Sequence, residues 1–276
     1  MKAPDGNKLA ILKALNQPGF VSGQALGEQL GISRAAVSKH INSLQVMGLD
    51  IFKVTGKGYS LNNHAGLLNQ TKIQQYFNQL TSQLKSQSVN VEVHPLIDST
   101  NSELMRRIQA KTALESGTVI VAEMQQAGRG RRGRVWQSPF GANLYYSYFW
   151  RLDDGLQAAM GVSIAVGLAV YDTIKALYDI ELELKWPNDI YLNKQKLAGV
   201  LVELDGQPQG PCQLVLGIGI NLQMPQSFSQ HIDQAWTDLS QHTQQLDKNE
   251  LVASLTYHLE HRLDQYRKSG LHTMHE

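Results

Sequence analysis

The centre of the chain reads Gly128-Arg129-Gly130-Arg131-Arg132-Gly133-Arg134. Glycine lets a backbone approach a ligand closely and adopt positive φ angles at little cost. Arginine supplies a rigid fork of N–H donors that matches carboxylate and phosphate oxygens. Four arginines and three glycines in seven residues therefore predict a loop that surrounds a strongly anionic small molecule, such as a nucleoside triphosphate.

Two other interpretations of this loop have to be weighed. Gly128, Gly130 and Gly133 fit the G-x-G-x-x-G pattern of dinucleotide-binding proteins, in which a strand precedes the glycines and a helix follows them. Residues 118–122 do read as a strand, but after the loop come two breakers and a second strand at 144–150. Without a helix N-terminus to receive a pyrophosphate, a dehydrogenase is disfavoured. A solvated basic loop without a ligand stays open at this point.

Length and composition describe an ordinary globular protein. The chain has 276 residues, of which 42% are hydrophobic and 18% charged, enough for one large and one small domain. No signal peptide is predicted, and the most apolar helical run, residues 161–170, is too short to span a bilayer. A single cysteine, Cys212, excludes an intramolecular disulfide and a cysteine-rich zinc site. We therefore expect a cytoplasmic protein without membrane contact.

Charge is distributed unevenly along the chain. Residues 1–62 hold seven Lys or Arg against three Asp or Glu, a net charge of +4. The remaining residues hold eighteen bases and twenty-one acids, a net charge of −3. A small basic segment attached to a larger, mildly acidic one indicates nucleic-acid contact by the small segment.

Residues 1–62 carry the pattern of a helix-turn-helix domain. Apolar spacing predicts a first helix that ends at Pro18, a second that Ser22 caps and Gly31 ends, and a third that Ser33 caps. Two helices joined by a tight glycine turn form the helix-turn-helix arrangement. Two short strands with a basic turn then complete a winged helix.

The third helix of this segment presents a polar, basic face suited to a major groove. The residues predicted to contact DNA are Ser33, Arg34, Ala35, Ser38, Lys39 and Asn42 on the helix and Lys53 and Lys57 in the wing. The alternative is a three-helix cap that binds nothing. Capping, glycine turn, basic wing and charge asymmetry together favour DNA binding.

The rest of the chain divides into a connecting segment and a larger domain. Residues 63–88, rich in Gln and Asn, predict a linker helix and a polar linker. Residues 89–276 predict several strands with helices on one side of the sheet, which is an α+β arrangement. The predicted elements are strands at 91–97, 118–122, 144–150, 182–186, 190–192, 196–204 and 214–222 and helices at 103–109, 155–178 and 251–266.

Several polar residues in this domain are ambiguous when taken singly. The string Asp98-Ser99-Thr100-Asn101 could cap the helix at 103–109 or face a ligand. Lys185 and Lys196 could be solvent-facing strand residues or could reach a carboxylate or phosphate. Asp189 could accept a proton or hold Mg²⁺.

Four stretches taken together resemble the biotin protein ligases: residues 98–101, residues 128–141, Lys185-Trp186-Pro187-Asn188-Asp189 and Lys196-Leu197-Ala198-Gly199. With the winged helix in front, the chain resembles the bacterial bifunctional biotin ligase and biotin-operon repressor. The resemblance implies a mixed-sheet catalytic domain of the biotin/lipoate ligase type, like that of class II synthetases. It divides the chain into a DNA-binding domain at 1–62, a linker helix at 63–88 and a catalytic domain at 89–276.

The resemblance also implies the chemistry. Biotin and ATP would form biotinyl-5′-AMP with the help of Mg²⁺, and biotin would pass to a lysine of the biotin carboxyl carrier protein. Biotinyl-5′-AMP would also act as corepressor, since ordering of the glycine- and arginine-rich loop could complete a homodimer that binds operator DNA. No metal ligands are assigned.

Site residues follow by resemblance. Catalysis is assigned to Lys196, Arg131 and Asp189. Biotin binding is assigned to Ser99, Thr100, Asn101, Gln125, Gly128, Arg129, Gly130, Arg131, Lys196, Gly199, Gly217 and Gly219. ATP and adenylate binding is assigned to Arg131, Arg134, Trp136, Asn188, Lys196 and Asn221.

One departure from the family pattern keeps alternatives open. Such ligases continue into a small C-terminal SH3-like barrel, which we expect to be missing after His275-Glu276. A biotin-sensing repressor with little ligase turnover is therefore one alternative. A lipoate-type ligase on the same fold is the other, although the loop at 128–133 and the motif at 185–189 argue against it.

Overall fold

A computed structural model gives the backbone and side chains of most of the protein. The described residues are 6–15, 17, 19–61, 66–81, 90–153, 155, 159–206, 210–225, 228 and 232–271. Pro18, which was predicted to end the first helix, and parts of the predicted linker lie outside them.

The N-terminal unit is a winged helix, as predicted. Its elements are α1 (Gly6–Leu15), α2 (Gly23–Leu30), α3 (Arg34–Val46), β1 (Ile51–Val54) and β2 (Gly58–Leu61). The predicted caps form, because Ser22 Oγ accepts from the amide of Ala25 and Ser33 Oγ accepts from the amide of Ala36. Gly31 ends α2 at φ 64°, a left-handed conformation that favours glycine. Gly31 and Ser33 therefore set the end of α2 and the start of α3, the two helices that flank the turn.

The larger unit is a seven-stranded mixed sheet with four helices among its described residues. Its elements are α4 (Gln70–Leu80), β3 (Asn90–His94), α5 (Thr100–Gln109), β4 (Thr118–Ala122), β5 (Asn143–Leu152), α6 (Val162–Tyr178), β6 (Glu183–Lys185), β7 (Asp189–Leu192), β8 (Gln195–Gly206), β9 (Cys212–Asn221) and α7 (Lys248–Ser269). The strand order is β3-β4-β5-β9-β8-β7-β6. The pair β3–β4 is parallel and the other pairs are antiparallel, so the predicted α+β class with a mixed sheet is confirmed.

Alternation along the strands separates two faces of this sheet. On β5, Tyr146, Tyr148 and Trp150 join the main core, together with residues of α4, α6 and α7. Phe149 belongs to a smaller cluster against α5, on the opposite face. The prediction that the helices lie on one side is therefore wrong for α5, because the β3–α5–β4 crossover places it on the other side. This second face carries the candidate site.

Two other predictions need correction. Helix α6 begins at Val162 rather than Gly155, because Gly161 at φ 91° precedes it and residues 159–160 form a turn. The strand predicted at 182–186 is shorter, Glu183–Lys185, and two of the apolar residues in the predicted range are exposed, Leu184 at 41% and Trp186 at 79%. Strand β6 lies at the edge of the sheet, where Leu184 contacts α6 at Gly167 but stays partly open to solvent.

The two units pack against each other through apolar side chains and a backbone hydrogen bond. Met124 and Phe140 of the larger unit lie in the winged-helix core, and the amide of Phe140 donates to the carbonyl of Met47 at 3.3 Å. A buried ion pair joins Lys248 of α7 to Glu123, whose Oε1 also accepts from the amide of Leu68. The segment from 123 to 141 therefore contacts both units.

Helix α4 also packs into the main core through Ile73 and Phe77. Asn249 of α7 holds the backbone that leads into α4, since its side chain bonds to Leu67 and Asn69.

In the described part of the chain, none of the helices combines the length and apolar character that crossing a bilayer requires.

Candidate functional site

The floor of the site is a row of four neighbouring residues across the sheet, with two glycines at its centre. Strand register places Tyr145, Gly219, Gly199 and Asp189 side by side on β5, β9, β8 and β7. The indole of Trp136 lies on this row: a Cβ at Gly219 would approach its Cε2 to 2.5 Å, and one at Gly199 would approach its Cζ3 to 3.2 Å. Only glycine therefore leaves room for the ring on the floor at Gly219.

A buried polar cluster borders this floor. The side chains of Thr100 and Asn101 are 3–4% exposed, at the start of α5. Ser147 of β5 donates to Asn101 Oδ1 at 2.5 Å, and its oxygen lies 2.7 Å from Thr100 Oγ1. Gln125 Oε1 accepts from the amide of Thr100 at 2.9 Å. A Cβ at Gly217 would lie 2.3 Å from Asn101 Oδ1, so this glycine makes room for the amide.

Ser99 serves mainly as the N-cap of α5, since its side chain accepts from the amide of Ser102. The residue before it, Asp98, forms two hydrogen bonds with Arg106. The Arg106 guanidinium holds the pKa of Asp98 below its ordinary value. In this structure Ser99 therefore caps α5, which is the plainer of the two interpretations, and Asp98 pairs with Arg106. Thr100 and Asn101 line the polar cluster.

The glycine- and arginine-rich loop folds back on itself like a small hairpin. The amide of Gly130 donates to the carbonyl of Arg134 at 2.8 Å, and that of Trp136 donates to Gly128 at 2.9 Å. A Cβ at Gly128 would lie 2.3 Å from Ser138 Oγ, so the base of the hairpin requires glycine. A short 3-10 turn, Arg131–Gly133, forms the tip, and no α-helix follows it, as predicted.

The four arginines of the loop have different surroundings. Arg131 donates to Asn188 Oδ1 at 2.7 Å and so connects two residues assigned to the nucleotide. Arg129 contacts both carboxylate oxygens of Glu203, at 2.8 and 2.9 Å. Arg132 and Arg134 are exposed at the tip and along the rim.

Lys196 lies at the centre of the site. Its Nζ is 2.8 Å from Asp189 Oδ1 and 5.7 Å from the centroid of the Trp136 ring, with 12% of the side chain exposed. The indole Nε1 of Trp136 is the one buried side-chain polar atom without a hydrogen-bond partner among the described residues. A buried, unpaired donor next to an ammonium is suited to an anionic oxygen of a ligand.

Asn221, which the resemblance assigns to the nucleotide, ends β9 beside the backbone of Lys196. Its Nδ2 donates to the carbonyls of Thr237 and Lys196, at 3.0 and 3.4 Å. The amide of Lys196 in turn donates to the carbonyl of Ala235. The Asn221 amide thus fixes the backbone that carries Lys196.

The acidic residues do not form a metal cage. Within the ranges that the structure describes, no group of three or more His, Cys, Asp or Glu side chains converges. Asp189 is already paired with Lys196.

The residues assigned to DNA form one accessible surface. The positions on α3 alternate with the buried Val37, Ile41 and Leu44, so they point away from the core of the winged helix. The exposed members are Ser33, Arg34, Ala35, Lys39, Asn42, Lys53 and Lys57, and Ser38 is half-buried. The wing lysines lie near aromatic rings, Lys53 at 6.0 Å from Tyr59 and Lys57 at 5.9 Å from Phe20.

Three site residues escaped the sequence analysis. Ser147 interrupts an aromatic strand, and that single hydroxyl among tyrosines was a usable signal. Glu203 is an acid within an apolar strand, for which a solvent-facing role is the ordinary interpretation. Ser138 joins Gln125 through a hydrogen bond of 3.2 Å that only the fold reveals.

Comparisons with known proteins agree with this arrangement. The profile of the Biotin/lipoate A/B protein ligase family matches residues 93–221, and that of an HTH domain matches residues 7–60. The chain is 46% identical to the bifunctional ligase/repressor BirA of Salmonella typhimurium, over 95% of this chain and 78% of that protein. It is 32% identical to BirA of Bacillus subtilis, over 94% of this chain and 79% of that protein.

A solved structure is similar as well. The biotin protein ligase from Aquifex aeolicus in complex with biotin and ATP superposes with a TM-score of 0.55 and 29% identity, covering 65% of this chain and 72% of that one. Identity of 46% over nearly the whole chain, with both domain profiles in the same order, is decisive. The chain belongs to the bifunctional ligase/repressor branch of the biotin protein ligase family.

Proposed function

We propose that this protein joins biotin to a lysine of the biotin carboxyl carrier protein at the expense of ATP, and that it represses transcription through its winged helix. One observation carries the ligase part. The Lys196 ammonium lies beside the glycine row and the unpaired Trp136 Nε1, within a site bordered by arginines. Family membership supports both parts.

The first step forms a mixed anhydride. An oxygen of the biotin carboxylate attacks the α-phosphorus of ATP, the bond from that phosphorus to the bridging oxygen breaks, and pyrophosphate leaves. Lys196 and Arg131 would stabilise the negative charge that gathers on the phosphoryl oxygens. Asp189 would hold the Lys196 ammonium in place through their 2.8 Å contact.

The second step transfers biotin. The neutral amine of the carrier lysine attacks the acyl carbon of biotinyl-5′-AMP, the bond from that carbon to the phosphate oxygen breaks, and AMP leaves as the amine loses a proton. Thr100, Asn101 and Gln125 would orient biotin at the polar cluster. Arg134, Trp136 and Asn188 would contact the nucleotide.

Magnesium fits this site as a partner of the substrate. Mg²⁺ in nucleotide sites keeps several waters and is held by phosphates with one or two carboxylates. Because Asp189 is paired with Lys196, phosphate oxygens and water would supply the ligands of the ion. When bound, the ion would neutralise phosphate charge.

The repressor part rests on the exposed basic face of α3 and the two wing lysines. Biotinyl-5′-AMP would act as corepressor by favouring a homodimer, which presents two winged helices to a two-fold operator. The protein would work in the cytoplasm, where its DNA and its carrier protein are found. Operator affinity should rise when biotin and ATP are added together, and equal affinity with and without them would refute the corepressor role.

A direct test compares biotin with lipoate. Labelled AMP should become attached to biotin when the protein is incubated with ATP and Mg²⁺, and an excess of lipoate should not compete. Adenylation of lipoate at a comparable rate would instead identify a lipoate-type ligase.

A further inference from the structure

Glu203 joins three elements of the site. It lies on β8 opposite Val215, on the face of the sheet that carries the glycine row. Its carboxylate accepts two hydrogen bonds from Arg129 of the loop and one, at 2.8 Å, from Asn101 Nδ2 of α5. The side chain is 26% exposed and that of Arg129 38%, so the pair is partly shielded from water. A single guanidinium nitrogen, Arg129 Nη2, reaches both carboxylate oxygens, so the contact holds the arginine close to Glu203.

The bond to Asn101 also fixes the orientation of its amide. With Nδ2 directed to Glu203, Oδ1 is directed to the hydroxyl of Ser147. Arg129 makes a second bond, from Nη1 to Ser102 Oγ. Its guanidinium is therefore engaged by protein groups on the sheet and on α5.

We propose that Glu203 is a positioning residue, which holds the loop at 128–136 closed over the pocket and orients Asn101 toward the substrate. This inference rests on the proposed function for its effect on biotin, but the closure itself does not depend on activity. Arg129 is the first arginine of the loop, so an anchor there restrains the hairpin near its base. Glu203 touches no reacting atoms.

Loss of the anchor should appear in substrate affinity. When the binding-competent state is only partly populated, the apparent dissociation constant rises in proportion. We expect Glu203→Gln to raise the KM for biotin and the biotin dissociation rate by about tenfold, allowing for the partial exposure of the pair. The kcat of pyrophosphate release should change less than about twofold, because the reacting groups are unchanged.

Asp205→Asn is the matched control. Asp205 lies two residues along the same strand, on the same face, and is exposed. It should retain the parent KM. Glu203→Ala, Arg129→Ala and the double variant Arg129→Ala/Glu203→Ala form a cycle: if Glu203 acts on the loop through Arg129, the double variant should open the loop no more than about twofold beyond Arg129→Ala.

Protease cleavage of the loop tests the anchor without depending on ligase activity. Trypsin cuts after arginine, and an opened loop exposes the backbone at 129–134 to it. In the ligand-free protein, Glu203→Gln should speed cleavage in this loop about tenfold relative to the parent and Asp205→Asn, with the fragments identified by mass spectrometry.

The outcomes are distinct. Unchanged cleavage and an unchanged KM in Glu203→Gln would overturn the positioning role while leaving the ligase intact. Effects of Arg129→Ala and Glu203→Ala on loop cleavage that multiply in the double variant would also overturn the anchoring of the loop through Arg129. Faster cleavage in a protein that binds no biotin would leave the loop anchor established and refute the proposed function instead.

Discussion

At the scale of single residues, the site depends on a few side chains whose positions are fixed by ion pairs and hydrogen bonds. Lys196 is fixed by its pair with Asp189 and by the backbone bonds from Asn221 and Ala235. Removing a preorganised cation from a developing anion typically lowers kcat by about 10²–10³-fold.

We therefore expect Lys196→Ala to lose adenylate formation by at least about a hundredfold while the fold persists. Pyrophosphate release measures the loss, and thermal unfolding checks the fold. Lys72→Ala, which removes an exposed lysine from α4, is the control. A Lys196→Ala variant that releases pyrophosphate at the parent rate would refute the assigned role.

A second prediction at this scale concerns Gly217. Because a methyl group there would overlap Asn101 Oδ1, Gly217→Ala should displace the amide, raise the KM for biotin about tenfold and destabilise the protein by about 1–3 kcal/mol. Gly6→Ala, in the winged helix, is the comparison, since its methyl group would meet nothing within 4 Å. If both variants bind biotin equally well, the polar cluster does not contact biotin.

At the scale of elements, patterns within a few residues predicted the helices and strands, whereas features that depend on contacts between distant residues were not predicted. Serine caps, the left-handed Gly31 and alternating strands are encoded within a few residues, so the helices and strands were placed close to their observed bounds. The face occupied by α5 and the exposure of Leu184 and Trp186 depend on which strands become neighbours. Glu203 was missed for the same reason, because its partners are 74 and 102 residues away.

Helix α3 provides the prediction at this scale. Arg34→Ala and Lys39→Ala should each weaken operator binding, roughly tenfold for a side chain that contacts a base, and leave adenylation at the parent rate. A side chain that contacts only phosphate should also lower the slope of log affinity against log salt by about one. Fluorescence anisotropy over a range of salt separates the two kinds of contact. Equal loss of adenylation and DNA binding would contradict the division of labour between the two units.

At the scale of the whole molecule, the segment from 123 to 141 connects the catalytic and DNA-binding units. Its middle forms the loop over the pocket, and Met124 and Phe140, near its two ends, lie in the winged-helix core. The buried pair of Glu123 and Lys248 ties the same segment to α7. The same stretch of backbone therefore contacts both the ligand pocket and the winged helix.

Phe140→Ala tests this connection. Removal of a buried phenyl ring, 4% exposed, should cost about 3 kcal/mol. Because that ring belongs to the winged-helix core, the winged helix should unfold at a lower temperature than the catalytic domain in calorimetry. A single transition at the parent temperature would show that the two units do not depend on this contact.

The central claim is that one chain both activates biotin and transfers it. The most direct measurement is the time course of pyrophosphate release with biotin, ATP and Mg²⁺, with and without the biotin carboxyl carrier protein. We expect a single burst of about one equivalent without carrier, because the intermediate stays bound, and continuous turnover when carrier is added. No pyrophosphate release, or a burst that carrier does not convert to turnover, would contradict the claim.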